Sequence, residues 1–185
     1  MFYSIFLLSI IFGSSLGQLV IPKFPQQTSI SNFDAAKYLG DWYEVLRMPN
    51  NYDKDDKCSI INISPSSASI IGMNPVTGIY RRITAGGKQR GNSSVFDFEY
   101  PIDEPVDFGV MTISVINYER FAVKTIIEPH KNFVFKEYVW ILSRTTTLSR
   151  EDYECAMNVL KNDGFPVDKL VHVDQCDCPR REYNY

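Results

Sequence analysis

Short runs of alternating or β-branched residues recur along most of this chain, separated by residues that favour turns. Alternate side chains of such a run point to opposite faces, which is typical of half-buried β-strands. The intervening turn signals are Pro65-Ser66-Ser67, Asn74-Pro75, Gly86-Gly87, Pro101 and Pro129. The pattern predicts eight strands, over Trp42–Met48, Ser59–Ser64, Ser69–Met73, Thr77–Thr84, Val95–Tyr100, Val110–Asn117, Phe121–Glu128 and Asn132–Ser143. Strands at this spacing indicate a β-sandwich or a β-barrel, and periodicity does not choose between the two.

One amphipathic helix is predicted after the last strand. Ser149 suits the N-cap position, and Gly164 supplies the left-handed residue that ends a helix. Between them, apolar side chains recur at helical spacing and form one stripe, made of Tyr153, Ala156, Met157 and Leu160. We expect this stripe to pack against the wall of the β-structure.

A short segment before the first strand is also distinctive. Asn32 or Asp34 is placed to cap a helical turn, and Gly40 lets the backbone bend tightly before the strand begins. Trp42 follows two residues later, so it lies on the same strand face as Gly40.

The run Asn-Phe-Asp-x-x-Lys-Tyr-Leu-Gly-x-Trp-Tyr-Glu, over residues 32–44, resembles the opening signature of the lipocalin family. Within the family it is most similar to the apolipoprotein D-like branch. The resemblance implies an all-β fold, an eight-stranded up-and-down antiparallel β-barrel with one C-terminal α-helix packed on the outside.

Two further positions carry the resemblance. Ile116-Asn117-Tyr118 stands where lipocalins usually have Thr-Asp-Tyr, so only Tyr118 is unchanged. Arg144 follows the last predicted strand, where the family places an arginine across the signature tryptophan. A guanidinium group over an indole ring is a favourable stack. The resemblance therefore implies that Gly40, Trp42, Tyr118 and Arg144 are structural residues at a closed end of the barrel.

The N-terminal residues have features of a secretory signal. Met1–Gly17 contains the apolar run Ile5–Phe12 followed by small residues, although a positively charged start is missing. This run is too short to span a bilayer, which argues against a membrane anchor. We expect cleavage after Gly17, and a secreted, extracellular protein in which residues 18–185 form a single lipocalin domain without membrane insertion. The net charge of −3 does not favour a nucleic-acid partner.

Four cysteines in a secreted chain of this size indicate two disulfide bonds. They are Cys58, Cys155, Cys176 and Cys178. Pairing Cys176 with Cys178 would close a strained loop, so two connectivities remain. In the resembled branch, a cysteine at the start of the second strand pairs with one that precedes a C-terminal proline. This implies Cys58–Cys178 and leaves Cys155–Cys176. The swapped pairing, Cys58–Cys176 with Cys155–Cys178, stays open.

The sequence carries no motif that indicates catalysis. His130 and His172 have no metal-ligand spacing to carboxylates or cysteines, and neither a phosphate loop nor a nucleophile motif is present. We expect no enzyme activity, no metal and no cofactor other than a bound lipid or bilin pigment. The resemblance leaves one enzymatic alternative, because some lipocalins are prostaglandin isomerases that use a free cysteine. Only Cys58 fits that role, and its expected disulfide would remove it.

A closed eight-stranded barrel can hold one small ligand among its inward-facing side chains. Arg144 must face inward to reach Trp42, so alternation also places Leu142, Trp140, Tyr138, Lys136 and Val134 inside. The family register implies inward positions for Met111, Ile113, Val115, Ala122, Lys124 and Ile126, with Phe121 and Val123 facing outward. The expected ligand contacts are Trp140, Tyr138, Met111, Ile113, Lys124, Lys136 and Leu142. The alternative for Trp140 is that it only fills the core.

Two of these inward positions are lysines. Lys124 and Lys136 lie on neighbouring strands that flank the predicted turn Glu128–Asn132. We expect pairing about that turn to bring them close together near the open end of the barrel. There they would bind an acidic head group, such as a fatty-acid or bilin carboxylate. The alternative is that both side chains extend outward at the rim.

Polar surface features complete the prediction. Asn62 and Asn92 each begin a glycosylation sequon, and the polar connection Pro49–Lys57 is expected on the surface.

The sequence thus predicts a secreted carrier of one small hydrophobic ligand, released at the open end opposite Trp42 and Arg144. The resemblance implies fatty acids, steroids, retinoids, carotenoids or bilins as candidate ligands. The alternative is a defensive or signalling scaffold that binds through loops such as Pro49–Lys57, and a filled interior would favour it. A cell-surface receptor or a second copy of the chain stays open as a partner.

Overall fold

The computed structural model describes residues 24–50, 53, 55–99, 109–129 and 135–179. The predicted signal segment Met1–Gly17 and the predicted positions of His130 and Val134 lie outside these ranges. No helix within them is both long enough and apolar enough to cross a membrane.

Short strands account for most of the described chain. Helix α1 spans Ala35–Tyr38 and precedes β1, and helix α2 spans Arg150–Asp163 and follows β8. The strands are β1 (Gly40–Arg47), β2 (Lys57–Ile63), β3 (Ser67–Met73), β4 (Tyr80–Gln89), β5 (Val95–Glu99), β6 (Gly109–Asn117), β7 (Phe121–Pro129), β8 (Phe135–Ser143) and β9 (Val171–His172). One turn of 3-10 helix, Val167–Lys169, lies between α2 and β9.

The sheet closes on itself. Antiparallel pairing joins each strand to the next from β2 to β8, and β1 pairs with both β8 and β2. This is the predicted eight-stranded up-and-down barrel, with one helix after it. The short strand β9 pairs with the far half of β1, where His172 lies opposite Leu46.

Strand β4 is longer than predicted. We expected Gly86-Gly87 to break the chain, but both residues lie within β4 and pair with β5. Neither glycine has a positive φ angle, so both adopt the extended backbone of a strand. The glycines therefore remove side chains from the barrel wall without ending the strand.

Two hydrophobic clusters lie on the two faces of the barrel wall. The inner cluster fills the barrel and includes Trp42, Phe98, Met111, Ile113, Trp140 and Leu142. The outer cluster lies between the wall and α2 and includes Phe121, Val123, Ile141, Ala156, Met157 and Leu160. Ala122 and Ile126 face inward, and Phe121 and Val123 face outward, as the family register implied.

β-bulges change which residues face inward on two strands. A register shift between Ile113 and Val115 turns Val115 toward the outer cluster and brings Ile116 against the inner cluster. The prediction that Val115 faces inward is therefore wrong, because a bulge adds one residue to the alternation. A second register shift lies between Glu44 and Leu46. It puts the successive residues Val45 and Leu46 on the outside of β1 and turns Arg47 inward.

Helix α2 begins and ends at the predicted residues. The Ser149 hydroxyl accepts a hydrogen bond from the Asp152 amide, and Gly164 has a φ angle of 88°. Tyr153 does not join the buried stripe, since 40% of its surface is exposed. Asp152 is buried instead and forms a 3.0 Å ion pair with Arg120 in the β6–β7 turn.

Arg144 stacks on Trp42 at the barrel end beside α1. The Arg144 guanidinium lies 3.6 Å from the centre of the Trp42 ring. It also donates hydrogen bonds to the backbone carbonyls of Lys37, Leu39, Asp41 and Tyr118. The Asp34 side chain caps α1, and the Asp34 amide donates to the Tyr118 hydroxyl at 2.8 Å. Gly40 adopts a φ angle of 94°, which favours glycine.

One disulfide links the barrel to the C-terminal segment. Cys58 and Cys178 are bonded, with 5.6 Å between their Cα atoms, as the resemblance implied. Cys155 and Cys176 are free and exposed, so the expected Cys155–Cys176 bond and the swapped pairing are both wrong. Cys155 lies on the solvent face of α2, and the buried residues of this helix lie on its opposite face. The tail that carries Cys176 is held at β1 and β2, where the Gln175 side chain donates to the carbonyls of Glu44 and Ser59.

Candidate ligand-binding cavity

A cavity of about 340 Å³ lies inside one end of the barrel. Its wall is formed by α1, the β2–β3 turn, and the inward faces of β4, β5 and β6. Four of its lining residues are exposed and mark its mouth: Ala36, Pro65, Ser66 and Gly87. The volume is at the lower end of the range of about 300–1,000 Å³ that is usual for small-molecule sites.

The mouth lies at the end where Arg144 stacks on Trp42. We expected ligands to enter at the opposite end, but this cavity opens between α1 and the β2–β3 turn. Residues 100–108 and 130–134 are not among those described.

The wall of the cavity is apolar because of the residues on β5 and β6. Phe96 and Phe98 alternate with outward-facing residues on β5, and Met111 lies opposite Phe96 on β6. On β4, Gly87 lies opposite Phe98 and has no side chain to fill the space in front of it. The cavity therefore exists where a glycine faces large aromatic rings.

Lys124 is a charged group at the inner end of this cavity. Only 2% of its surface is exposed, and its Nζ atom lies 4.3 Å from the centre of the Trp140 ring and 5.4 Å from that of Phe98. Among the described residues, Nζ has neither a hydrogen-bond acceptor nor an ion-pair partner within 4.0 Å. Burial lowers the pKa of Lys124 to about 8, although the nearby carboxylates of Glu44 and Asp53 act in the opposite direction.

A layer of polar groups lies beyond Lys124 inside the barrel. Arg47 donates to Glu44 at 3.1 Å and to the Asp56 carbonyl at 2.6 Å, and its Nε atom lies 3.7 Å from an Asp53 oxygen. The Trp140 indole nitrogen donates to Asp53 at 3.0 Å. We call Glu44, Arg47 and Asp53 the polar layer.

Ionisation within the polar layer is unfavourable at Glu44. Burial, and next the negative charge of Asp53, raise the pKa of Glu44 to about 8. Its second oxygen, Oε1, has no hydrogen-bond partner in the described part of the chain.

The predicted ligand contacts divide into two groups. Met111 and Lys124 line the cavity. Four others belong to the barrel interior but not to the lining of this cavity, and they are Ile113, Tyr138, Trp140 and Leu142. Trp140 and Ile113 have no exposed surface, and Tyr138 stacks on Trp140 with 6.0 Å between the ring centres.

Lys136 does not lie beside Lys124. Lys124 is opposite Trp140, whereas Lys136 is opposite Glu128. The two lysines are therefore four positions apart along the hairpin, or about 13 Å. The expectation that they form a pair is wrong, because the β7–β8 hairpin is centred two residues further along the chain than we predicted.

Several cavity residues were missed by the sequence analysis. Phe96 and Phe98 could have been found from their alternation on one strand. Ala35 and Leu39, on either side of the buried Tyr38, reach the cavity only because α1 folds beneath the barrel. The sequence pattern predicts Gly87 as a turn residue, whereas it lies on the cavity wall within β4.

The remaining predicted positions lie away from the cavity. Asn62 donates to Asp41 between β1 and β2, and Asn92 is exposed in the β4–β5 turn. His172 is exposed on β9. The described residues contain no group of three or more His, Cys, Asp or Glu side chains that could hold a metal ion. Within the Pro49–Lys57 connection, Asn50 and Asp53 are buried rather than displayed at the surface.

Comparisons with known proteins agree with this fold. Residues 128–175 match the family model of the lipocalin-like domain. Apolipoprotein D of Mus musculus is 26% identical over 177 residues, which cover 91% of this chain and 92% of that protein. The outer membrane lipoprotein Blc of Citrobacter freundii is 28% identical over 153 residues, with 80% and 82% covered.

Solved structures show the same architecture. Insecticyanin from the tobacco hornworm Manduca sexta superposes with a TM-score of 0.69 at 19% identity, over 85% of this chain and 90% of that one. Lobster apocrustacyanin A1 superposes with a TM-score of 0.65 at 16% identity, over 86% and 96%. Together with the stack of Arg144 on Trp42, these matches support a lipocalin that is similar to the apolipoprotein D-like branch.

Proposed function

We propose that this protein is a secreted carrier that holds one small hydrophobic ligand in the cavity beneath α1. The observation that carries the proposal is an apolar hollow with a buried ammonium group, that of Lys124, at its inner end. Burial of apolar ligand surface supplies the driving force, roughly 25 cal/mol for each Å² removed from water.

The position of Lys124 favours a ligand with one acidic or carbonyl oxygen. An ammonium group without a hydrogen-bond acceptor in a buried site gains from a ligand that provides one. A ligand carboxylate at Lys124 would place its hydrocarbon chain past Phe98 and Met111 toward the mouth. The cavity volume favours a medium-chain fatty acid over the larger bilins and carotenoids among the candidate classes.

A pair of matched ligands tests this proposal. We expect wild-type protein to bind dodecanoic acid more tightly than dodecanol in isothermal titration calorimetry. Lys124→Met should weaken dodecanoate binding about tenfold or more, because a hydrogen bond to a charged group contributes about 1.5–3 kcal/mol. Dodecanol binding should change much less. Lys136→Met, on the neighbouring strand, is the control and should bind both ligands as the wild type does.

Equal losses for the acid and the alcohol in Lys124→Met would refute the role of the charge. Absence of binding for both ligands in the wild type would refute the carrier proposal itself.

The isomerase alternative loses its basis, because Cys58 is bonded to Cys178 and provides no free thiol. Secretion, glycosylation at Asn62 and Asn92, and a receptor or second copy as partner remain predictions.

A further inference from the structure

Lys124 differs from Arg47, another basic group inside the barrel. Arg47 has a carboxylate, a hydroxyl and a backbone carbonyl as hydrogen-bond acceptors. The Nζ atom of Lys124 lies over the faces of two aromatic rings and has no hydrogen-bond acceptor among the residues described, and its side chain lines the cavity. A primary amine in this setting is accessible to a ligand and is not held by the protein.

Such an amine can act as a nucleophile as well as a cation. Lysines that are desolvated in apolar pockets form imines with carbonyl compounds, because the neutral amine is the reactive form. An apolar cavity also selects for a carbonyl compound that carries a hydrocarbon chain, and it limits the access of water that would hydrolyse the imine.

We propose that Lys124 captures medium-chain aldehydes as a covalent imine within this cavity. The inference rests on the proposed carrier function and names a reactive class of ligand for the same site. The Nζ atom attacks the aldehyde carbon, a carbon–nitrogen bond forms, and two amine protons leave with the aldehyde oxygen as one molecule of water. The step consumes only amine and aldehyde, so no oxidant or reductant is needed.

The protonation state of the site supports this chemistry. With its pKa lowered to about 8 by burial, Lys124 is neutral in about a fifth of the molecules at pH 7.4. An ordinary lysine with a pKa of 10.5 is neutral in on the order of one in a thousand. Among the described residues, the titratable groups that act on Lys124 are Glu44 and Asp53, and burial raises the pKa of Glu44 to about 8. A protonated carboxyl close to the amine can donate to the aldehyde oxygen as it leaves.

Trapping with borohydride tests the proposal. The full-length protein is mixed with one equivalent of dodecanal at pH 7.4, reduced with sodium borohydride, and measured by intact mass spectrometry and peptide mapping. We expect one dodecyl group per chain, located on Lys124. From the neutral fractions, labelling of Lys124 should exceed that of an exposed lysine by about two orders of magnitude.

Two variants separate covalent capture from ordinary binding. Lys124→Arg keeps the positive charge and should still bind dodecanoate, but it should form no adduct. Lys124→Met should form no adduct and should still bind dodecanol, which shows that the cavity is intact. Lys136→Met should be labelled at Lys124 like the wild type. An excess of dodecanoate should suppress labelling of the wild type.

Three results would overturn the inference. They are labelling of Lys124→Arg equal to that of the wild type, labelling spread over surface lysines, and no adduct on a protein that binds dodecanol and dodecanoate. The last result would leave the carrier function in place. A protein that binds neither of those two ligands and forms no adduct would refute the carrier function and the inference together.

Discussion

Filling the cavity from its wall should abolish binding without harming the fold. A Cβ atom added at Gly87 would lie 3.8 Å from the Asp97 carbonyl oxygen and from the Phe98 ring, which are ordinary contact distances. Because Gly87 has no positive φ angle, a leucine at this position is not strained. Gly87→Leu should therefore fold, and the loss of glycine entropy in the unfolded chain favours the variant by about 0.5–1 kcal/mol.

The effect on binding follows from the space that the leucine occupies. Its four side-chain carbons displace about four ligand methylenes, each worth about 0.8 kcal/mol when buried. The expected loss is about 3 kcal/mol, which is more than about a hundredfold in the dissociation constant of dodecanoate. Calorimetric titration measures this loss, and urea unfolding of the same sample reports whether the fold is intact.

Thr84→Leu is the matched control for this experiment. Thr84 lies on the same strand but is exposed on the outer face, where its hydroxyl contacts Ser69. We expect this variant to bind dodecanoate as the wild type does. If Gly87→Leu also retains wild-type affinity, the ligand does not occupy this cavity and the reasoning about Lys124 fails with it.

Three further predictions concern the fold. Arg144→Met should lower the free energy of unfolding by about 2–4 kcal/mol in urea titrations, because it removes the stack on Trp42 and the donor to four backbone carbonyls. Arg144→Lys should not recover the lost stability. The folded chain keeps the Glu44 proton up to about pH 8, whereas the unfolded chain releases it near pH 4.5, so this group makes stability fall as the pH rises between those values. Glu44→Gln should flatten that fall in unfolding midpoints measured from pH 5 to 8, and an unchanged slope would contradict the assignment. A thiol reagent should modify two cysteines per native chain, Cys155 and Cys176, and uptake of none would contradict the disulfide pattern.

The barrel could be predicted from sequence because its signals are local. Alternating hydrophobic residues mark the strands, and Ser149 and Gly164 mark the ends of α2. The stack of Arg144 on Trp42 followed from the family signature. The prediction that Lys124 faces the interior is confirmed, because every second side chain of a strand points to the same face.

The positions that were missed depend on register rather than on residue type. The bulge that turns Val115 outward changes the alternation by one residue, and Val-Ile at this position suits either arrangement. Likewise, a shift of two residues in the centre of the β7–β8 hairpin separates Lys124 from Lys136. The cavity itself arises where α1, β4 and β5 meet, so no short stretch of sequence contains it.

The polar layer has a consequence for ligand length. Hydrogen bonds and close polar contacts link Glu44, Arg47 and Asp53 across the barrel interior, so a hydrocarbon chain cannot extend past Lys124 without breaking them. A bound chain has a fixed inner stop, and every methylene beyond the depth of the cavity must protrude through the mouth. Affinity in a series of fatty acids should then rise with chain length only until the space is full. The distance from Lys124 to the mouth of the cavity therefore sets the hydrocarbon length that binds with the highest affinity.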